Sequence, residues 1–211
     1  MTDLIMFQSQ DFIMKNILFG NEVERMPDSV FWIMKQLFKL FYLIKPVDKY
    51  IIRFGIKNGD TVVDYGCGPG AFLKSASILT GETGMVYAVD LHEMAISSVN
   101  KLIEKDKLKN VKPILAIGNS VSIPDNAADI VYAIDMFHMV RDSDSFLKEL
   151  CRITKNGGKL IIEDGHQPRT LSREKITGSG SWKITSENKR FMECSPIKII
   201  RQASSLNKAF E

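Results

Sequence analysis

The stretch VVDYGCGPGAF, residues 62–72, puts glycines at 66, 68 and 70 directly behind a short apolar run that ends in Asp64 and Tyr65. The β-branched lead-in reads as a buried strand. Glycines at this density let the backbone turn tightly and pass close to a ligand, where a Cβ would intrude. Such a loop can be a structural turn, a dinucleotide cradle, or the seat of another nucleotide-like cofactor. That choice governs the functional reading.

Outward from this loop the pattern alternates. TVVDY (61–65) is a strand, GAFLKSASILTG (70–81) has helical spacing, and GMVYAVD (84–90) is a second strand. A helix over 93–108 follows, then strands at 111–118 and 128–135. The spacing predicts a helix over 143–158, opened by Ser143 and stopped by Gly157 and Gly158, and a fifth strand at 159–164. Short apolar strands separated by helices predict an α/β fold, a Rossmann-like doubly wound sheet with helices on both faces. Residues 168–181 read as a polar connection. SWKITSE and RFMECSPIKII then flank NKR, which predicts a C-terminal antiparallel hairpin on one edge of a mostly parallel, seven-stranded sheet.

Spacing and charge narrow the cofactor. A dinucleotide fingerprint is GxGxxG, whose third glycine lets a helix N-terminus meet a pyrophosphate. Here the spacing is GxGxG, with Pro69 inside it and Asp64 before it. A carboxylate at Asp64 repels a pyrophosphate but suits a cofactor with a cationic amino-acid end. S-adenosylmethionine has an α-ammonium, a sulfonium and a ribose, and no phosphate. Asp90 closes the second strand twenty residues after Gly70, where a carboxylate can accept from two ribose hydroxyls or cap the helix that starts at Glu93. An NAD(P)-dependent oxidoreductase is disfavoured by the same spacing.

Composition excludes other classes. The 211 residues carry 28 Lys and Arg against 25 Asp and Glu, a net charge of +3 that offers nothing for nucleic acid. The cysteines, Cys67, Cys151 and Cys194, are odd in number and form no CxxC pair, so neither a disulfide framework nor a metal site is expected, and a reducing, cytoplasmic setting is. VFWIMKQLFKLFYLI (30–44) is shorter than the roughly 20 apolar residues that span a bilayer, so no stable membrane insertion is expected. It reads as a helix packed on the sheet edge or active-site mouth, or as an apolar lid for a lipophilic acceptor or a membrane-surface contact. VDKYIIRFGI (47–56) is a short helix closing at Gly55, and MTDLIMFQSQD has acid where a signal peptide would be basic.

VVDYGCGPGAF, VYAVDLHEMAI, AIGNSVSIP, ADIVYAIDMFHMV and LKELCRITKNGGKLIIED, in this order, resemble the motifs of class I S-adenosylmethionine-dependent methyltransferases. The nearest likeness is to the small single-domain group of ubiquinone/menaquinone-biosynthesis methyltransferases, over roughly residues 55–165. The resemblance implies that Gly66, Cys67, Gly68 and Gly70 line the methionine part of S-adenosylmethionine and that Asp64 holds its ammonium. It implies Asp90 on the ribose, Leu91 and His92 beside the adenine, and Asn119 with Ser120 where the group usually has Asp-Ala. An Asn carbonyl accepts the same hydrogen bond. Ile134 and Asp135 would border the sulfonium and acceptor, and His138 is the candidate base. His166 lies in a loop facing the site, and Cys151 in the core.

The expected organisation is an N-terminal helical cap or lid over 1–54, the cofactor-binding domain over 55–201 and a tail over 202–211. The expected function is methyl transfer to a small-molecule acceptor, apolar or aromatic, with S-adenosylhomocysteine as product. The alternative is a catalytically silent sensor or partner subunit that binds the same cofactor.

Overall fold

The computed structural model describes residues 27–33, 35–36 and 48–198. The tail 202–211 and most of the apolar segment 30–44 lie outside the described residues. Residues 28–33 and 35–36 are helical. After them α1 (Asp48–Ile51) tightens into a 3-10 turn over Ile52–Phe54 and stops at Gly55 with φ +69°. The strands β1 (Thr61–Tyr65), β2 (Met85–Asp90) and β3 (Val111–Leu115) alternate with α2 (Leu73–Thr80) and α3 (Glu93–Asp106). Then come β4 (Ala128–Ala133), α4 (Ser143–Ile153), β5 (Thr154–Glu163), α5 (Arg169–Gly178), β6 (Trp182–Glu187) and β7 (Phe191–Pro196).

The strands form one sheet in the order β3-β2-β1-β4-β5-β7-β6. The first five are parallel, while β7 runs antiparallel to both β5 and β6. Strand side chains alternate between two cores. Val62, Val86, Ile130 and Ile161 face Phe54, Leu73 and Val99 on one side of the sheet. Val63, Val89, Val131 and Leu160 face Phe146, Leu150 and Ile176 on the other. Helices thus cover both faces, as two-sided burial of a parallel sheet requires. The chain order reverses between β1 and β4, so the loops after their C-terminal ends form the crevice where ligands bind.

Three local expectations need correction. The helix expected over 143–158 ends at Ile153, and Lys155 to Gly158 belong to β5. The pairing with β4 jumps there from Ala128↔Thr154 to Ile130↔Lys159, so the two glycines sit in a strand irregularity rather than stopping a helix. A side chain at Gly158 would lie within 2.8–2.9 Å of the Asp129 and Ala128 carbonyl oxygens. The connection expected over 168–181 contains α5, which turns Ser172 and Ile176 inward. Its polar face is tied down by Arg169 to Asp164 at 2.6 Å and Arg173 to Glu187 at 2.5 Å. Lastly, the helix expected over 70–81 begins at Leu73.

Candidate active site

Gly66, Gly68 and Gly70 all adopt positive φ, +78°, +52° and +90°, which explains why this loop cannot join the helix behind it. The Gly66 and Cys67 N–H groups both donate to the Val89 carbonyl, at 2.8 and 3.0 Å, pinning the loop to the end of β2. Asp90 completes the tie. Its Oδ2 accepts from the Gly68 N–H at 2.8 Å and its Oδ1 from the His92 N–H at 2.9 Å. The residue expected to meet a ribose is therefore also the clasp between two loops. The cap of α3 is His92, whose Nδ1 accepts from the Met94 N–H at 3.2 Å.

Asp64 lies one strand over, 2% exposed, as the register partner of Ala88 on β2 and Tyr132 on β4. Burial pushes its pKa up to about 8; the Tyr132 hydroxyl pulls it down and the Asp90 charge adds to the rise. Asp64 Oδ2 and the Tyr132 hydroxyl are both buried and neither completes a hydrogen bond among the described residues. Among the described residues no cation acts on Asp64. A buried, unpaired carboxyl is costly unless something supplies a positive partner. The α-ammonium of S-adenosylmethionine is such a partner, so the residues around Asp64 fit that cofactor. Burial, then Asp64 and Asp90, hold the Cys67 thiol well up, so Cys67 is a loop filler and not a thiolate.

Beyond the loop, Leu91, Gly118, Asn119, Tyr65, Met136 and Phe146 line a cleft with an enclosed volume of about 30 Å³. Met136 narrows it by lying over Gly66, where a Cβ would come within 2.7 Å of its Cγ. Leu91 and Asn119 thus share the cleft with Met136, which lies over the glycine loop at Gly66. Asn119 Nδ2 donates to the Asp142 carbonyl at 3.5 Å. Ser120 is exposed and borders a shallow outer groove with Asp142, Lys148 and Arg152 instead. His92 is not among the residues that line the cleft. It is buried beneath Phe31, ring centroids 4.3 Å apart, with Nε2 3.4 Å from Asp28 Oδ1.

A second cluster sits past the ends of β4 and β5. Asp135 holds φ +53°, unusual for a side-chain-bearing residue, and its Oδ1 lies 4.0 Å from His166 Nε2. His138 meets the His166 ring edge-on at 4.8 Å. Burial raises the Asp135 carboxyl while His166 lowers it. Ile134 packs half-buried on the core face that holds Phe54 and Tyr132. Nearby, the Tyr50 hydroxyl donates to Glu163 Oε1 at 3.1 Å and Arg190 lies 5.5 Å over the Tyr50 ring.

Sequence reasoning did not single out Tyr132 or the Tyr50–Glu163 pair. Tyr132 had a legible signal, since it sits in an otherwise apolar strand read as buried. The Tyr50–Glu163 pair is 113 residues apart in the chain and had none.

Comparison with known proteins agrees with this geometry. A family model described as a methyltransferase domain matches residues 56–208. The ubiquinone/menaquinone biosynthesis C-methyltransferase of Saccharophagus degradans is 30% identical over 131 residues, 62% of this chain and 53% of that protein. The chain thus matches about half the length of that relative. A SAM-dependent methyltransferase from Aquifex aeolicus superposes with a TM-score of 0.62 at 27% identity, over 72% of this chain and 88% of that one. The fold alone is shared more widely, for instance by the [4+2]-cyclase SpnF, with a TM-score of 0.57 and 19% identity over 66% of this chain and 57% of that one. With its glycine loop held to β2 by the Asp90 clasp, the chain belongs to the methyltransferase-domain family.

Proposed function

We propose that this methyltransferase acts on a small-molecule acceptor, apolar or aromatic, bound over the C-terminal ends of β4 and β5. The observation that carries the reading is the cluster of Asp135, His138 and His166 beside a cleft lined by Met136 and Met139. Methionines there offer a polarizable apolar wall, and the imidazoles can take a proton from an acceptor that must lose one. S-adenosylmethionine supplies a methyl group already activated by positive sulfur. Alignment of two reactants can contribute about 7–11 kcal/mol, so the chain's main task is to hold them in line. Gly66 to Gly70 and Asp64 hold the amino-acid end in this reading. Asp90 holds the ribose, and Leu91 and Asn119 border the adenine. Ser120 and His92 stand behind them as supports of the turn and of α3. Ile134 and Asp135 border the reacting centre, and His138 is the candidate base.

The N-terminal segment, within 1–54, is proposed as the cap of a domain extending from 55 to 201. Its described part packs on α3 through Phe31 on His92 and through Lys35 Nζ donating to Ser98 Oγ at 2.8 Å. The cytoplasm is the proposed location, in keeping with three buried free cysteines. No described helix is long and apolar enough to cross a membrane. The name of the Saccharophagus relative, a quinone-biosynthesis C-methyltransferase, supports an apolar ring as acceptor.

The test is transfer of a labelled methyl group across a panel of phenols, quinol precursors, amines and thiols. Turnover of an apolar or aromatic member, lost in His138→Ala or His166→Ala, is expected. Tight S-adenosylhomocysteine binding with no transfer to any class would favour the silent sensor instead.

A further inference from the structure

Asp64 and Tyr132 form a buried pair that none of the contacts within the fold explains. They face each other as register partners on adjacent parallel strands. Asp64 is 2% and Tyr132 0% exposed, and Asp64 Oδ2 and the Tyr132 hydroxyl both lack a hydrogen bond among the described residues. Phe54 and Phe72 wall the tyrosine ring at centroid distances of 5.2 and 6.2 Å. A hydroxyl aimed at a carboxyl in an apolar wall is useful when the carboxyl must change charge, because it steadies the ionised form.

We propose that Tyr132 is a positioning residue of the cofactor site, which makes the site take ligands with a cationic amine by giving up the Asp64 proton to solvent. The proposal rests on the placement of the cofactor's amino-acid end at Asp64. Burial pushes the Asp64 pKa up to about 8, which favours the protonated carboxyl at neutral pH in the free protein. The groups that face it are Tyr132 from β4, Asp90 from β2 and Cys67 from the glycine loop, and none of them supplies positive charge. An arriving ammonium changes that balance. The carboxyl loses its proton, pairs with the cation, and accepts a hydrogen bond from the Tyr132 hydroxyl. A ligand with the same nucleoside but no amine leaves the proton where it is. Tyr132 thereby contributes to selectivity for amino-acid-bearing ligands while its ring serves the core.

The test uses the full chain and two probes: S-adenosylhomocysteine, and 5′-methylthioadenosine, which has the nucleoside and thioether without the amino acid. Calorimetry at pH 7 in phosphate and in Tris counts the protons exchanged. With a free-state pKa of about 8, S-adenosylhomocysteine should release about 0.9 proton per site and methylthioadenosine none. Asp64→Asn should abolish the release. Tyr132→Phe should weaken S-adenosylhomocysteine about tenfold or more, the scale of a hydrogen bond to a charged group, and leave methylthioadenosine unchanged. Proton-free binding of S-adenosylhomocysteine would overturn the proposal, as would equal weakening of both probes, unchanged affinity for both, or a Tyr132→Phe chain that does not fold. Failure of S-adenosylhomocysteine to bind at all would instead remove the cofactor assignment on which the proposal rests.

Discussion

Replacing Asp90 with asparagine should destabilise the protein even when no cofactor is present. A purely ligand-binding carboxylate would do no such thing. Each carboxylate oxygen accepts one backbone N–H, from Gly68 at 2.8 Å and from His92 at 2.9 Å. Hydrogen bonds to a charged acceptor are worth about 1.5–3 kcal/mol each. Asparagine keeps one acceptor and points an NH2 group at the other N–H, so one bond is lost and a donor faces a donor. Working against this, burial raises the Asp90 pKa, so the neutral amide escapes a desolvation cost. The net loss should be about 1–3 kcal/mol. At the scale for a chain of this size, about 2–4 °C per kcal/mol, a 2 kcal/mol loss lowers the melting temperature by about 4–8 °C. Thermal denaturation of the ligand-free protein reads this directly, and calorimetry with S-adenosylhomocysteine reads the binding loss separately. Unchanged stability with weakened binding would refute the clasp. Unchanged binding would remove Asp90 from the pocket.

Gly66→Ala should cost about 1–2 kcal/mol for the left-handed backbone alone. The new Cβ would also lie 2.7 Å from Met136 Cγ, so Met136→Ala in the same chain should recover part of the loss but not the backbone share, as urea unfolding would show. Asp64 gives a pH dependence with a definite sign. Its folded pKa, about 8, stands above the unfolded value near 4, so between those values the native state holds the extra proton. Ligand-free stability should therefore fall as pH rises from about 4 to 8, and Asp64→Asn should flatten that slope in denaturation series at several pH values. Phe31→Ala removes the ring stacked on His92. Trypsin should then cut at Lys35 several-fold faster than in the wild type while the melting of the sheet changes little; equal cleavage rates would show that this contact does not dock the segment.

The parallel strands of the Rossmann half were legible, though not their order in the sheet, because strands buried on both faces read as short, mainly apolar runs, as TVVDY and ADIVYA do. The glycine loop was legible for a different reason: positive φ at 66, 68 and 70 leaves few residues to choose from. Local signals failed where tertiary context won. The KNGG at 155–158 carries a helix-stop signature, yet Thr154 pairs with Ala128 and draws those residues into a strand. The polar segment at 169–178 has little periodicity of its own, and its helix is held by Asp164, just before it in the chain, and by Glu187 of β6.

What the amino-acid order determined by itself was the fold class, the place of the loop, and the acid before it that favours a cationic cofactor over a phosphate. Those properties follow from periodicity, backbone sterics and charge, which act within a few residues. The tertiary structure decided what each group faces. Only in the fold does Asp90 become a clasp, His92 lie beneath Phe31, His166 stand beside Asp135, and Tyr132 meet Asp64 across two strands. Burial and partner identity depend on residues far apart in the chain, and they set the charge state on which this site's chemistry turns.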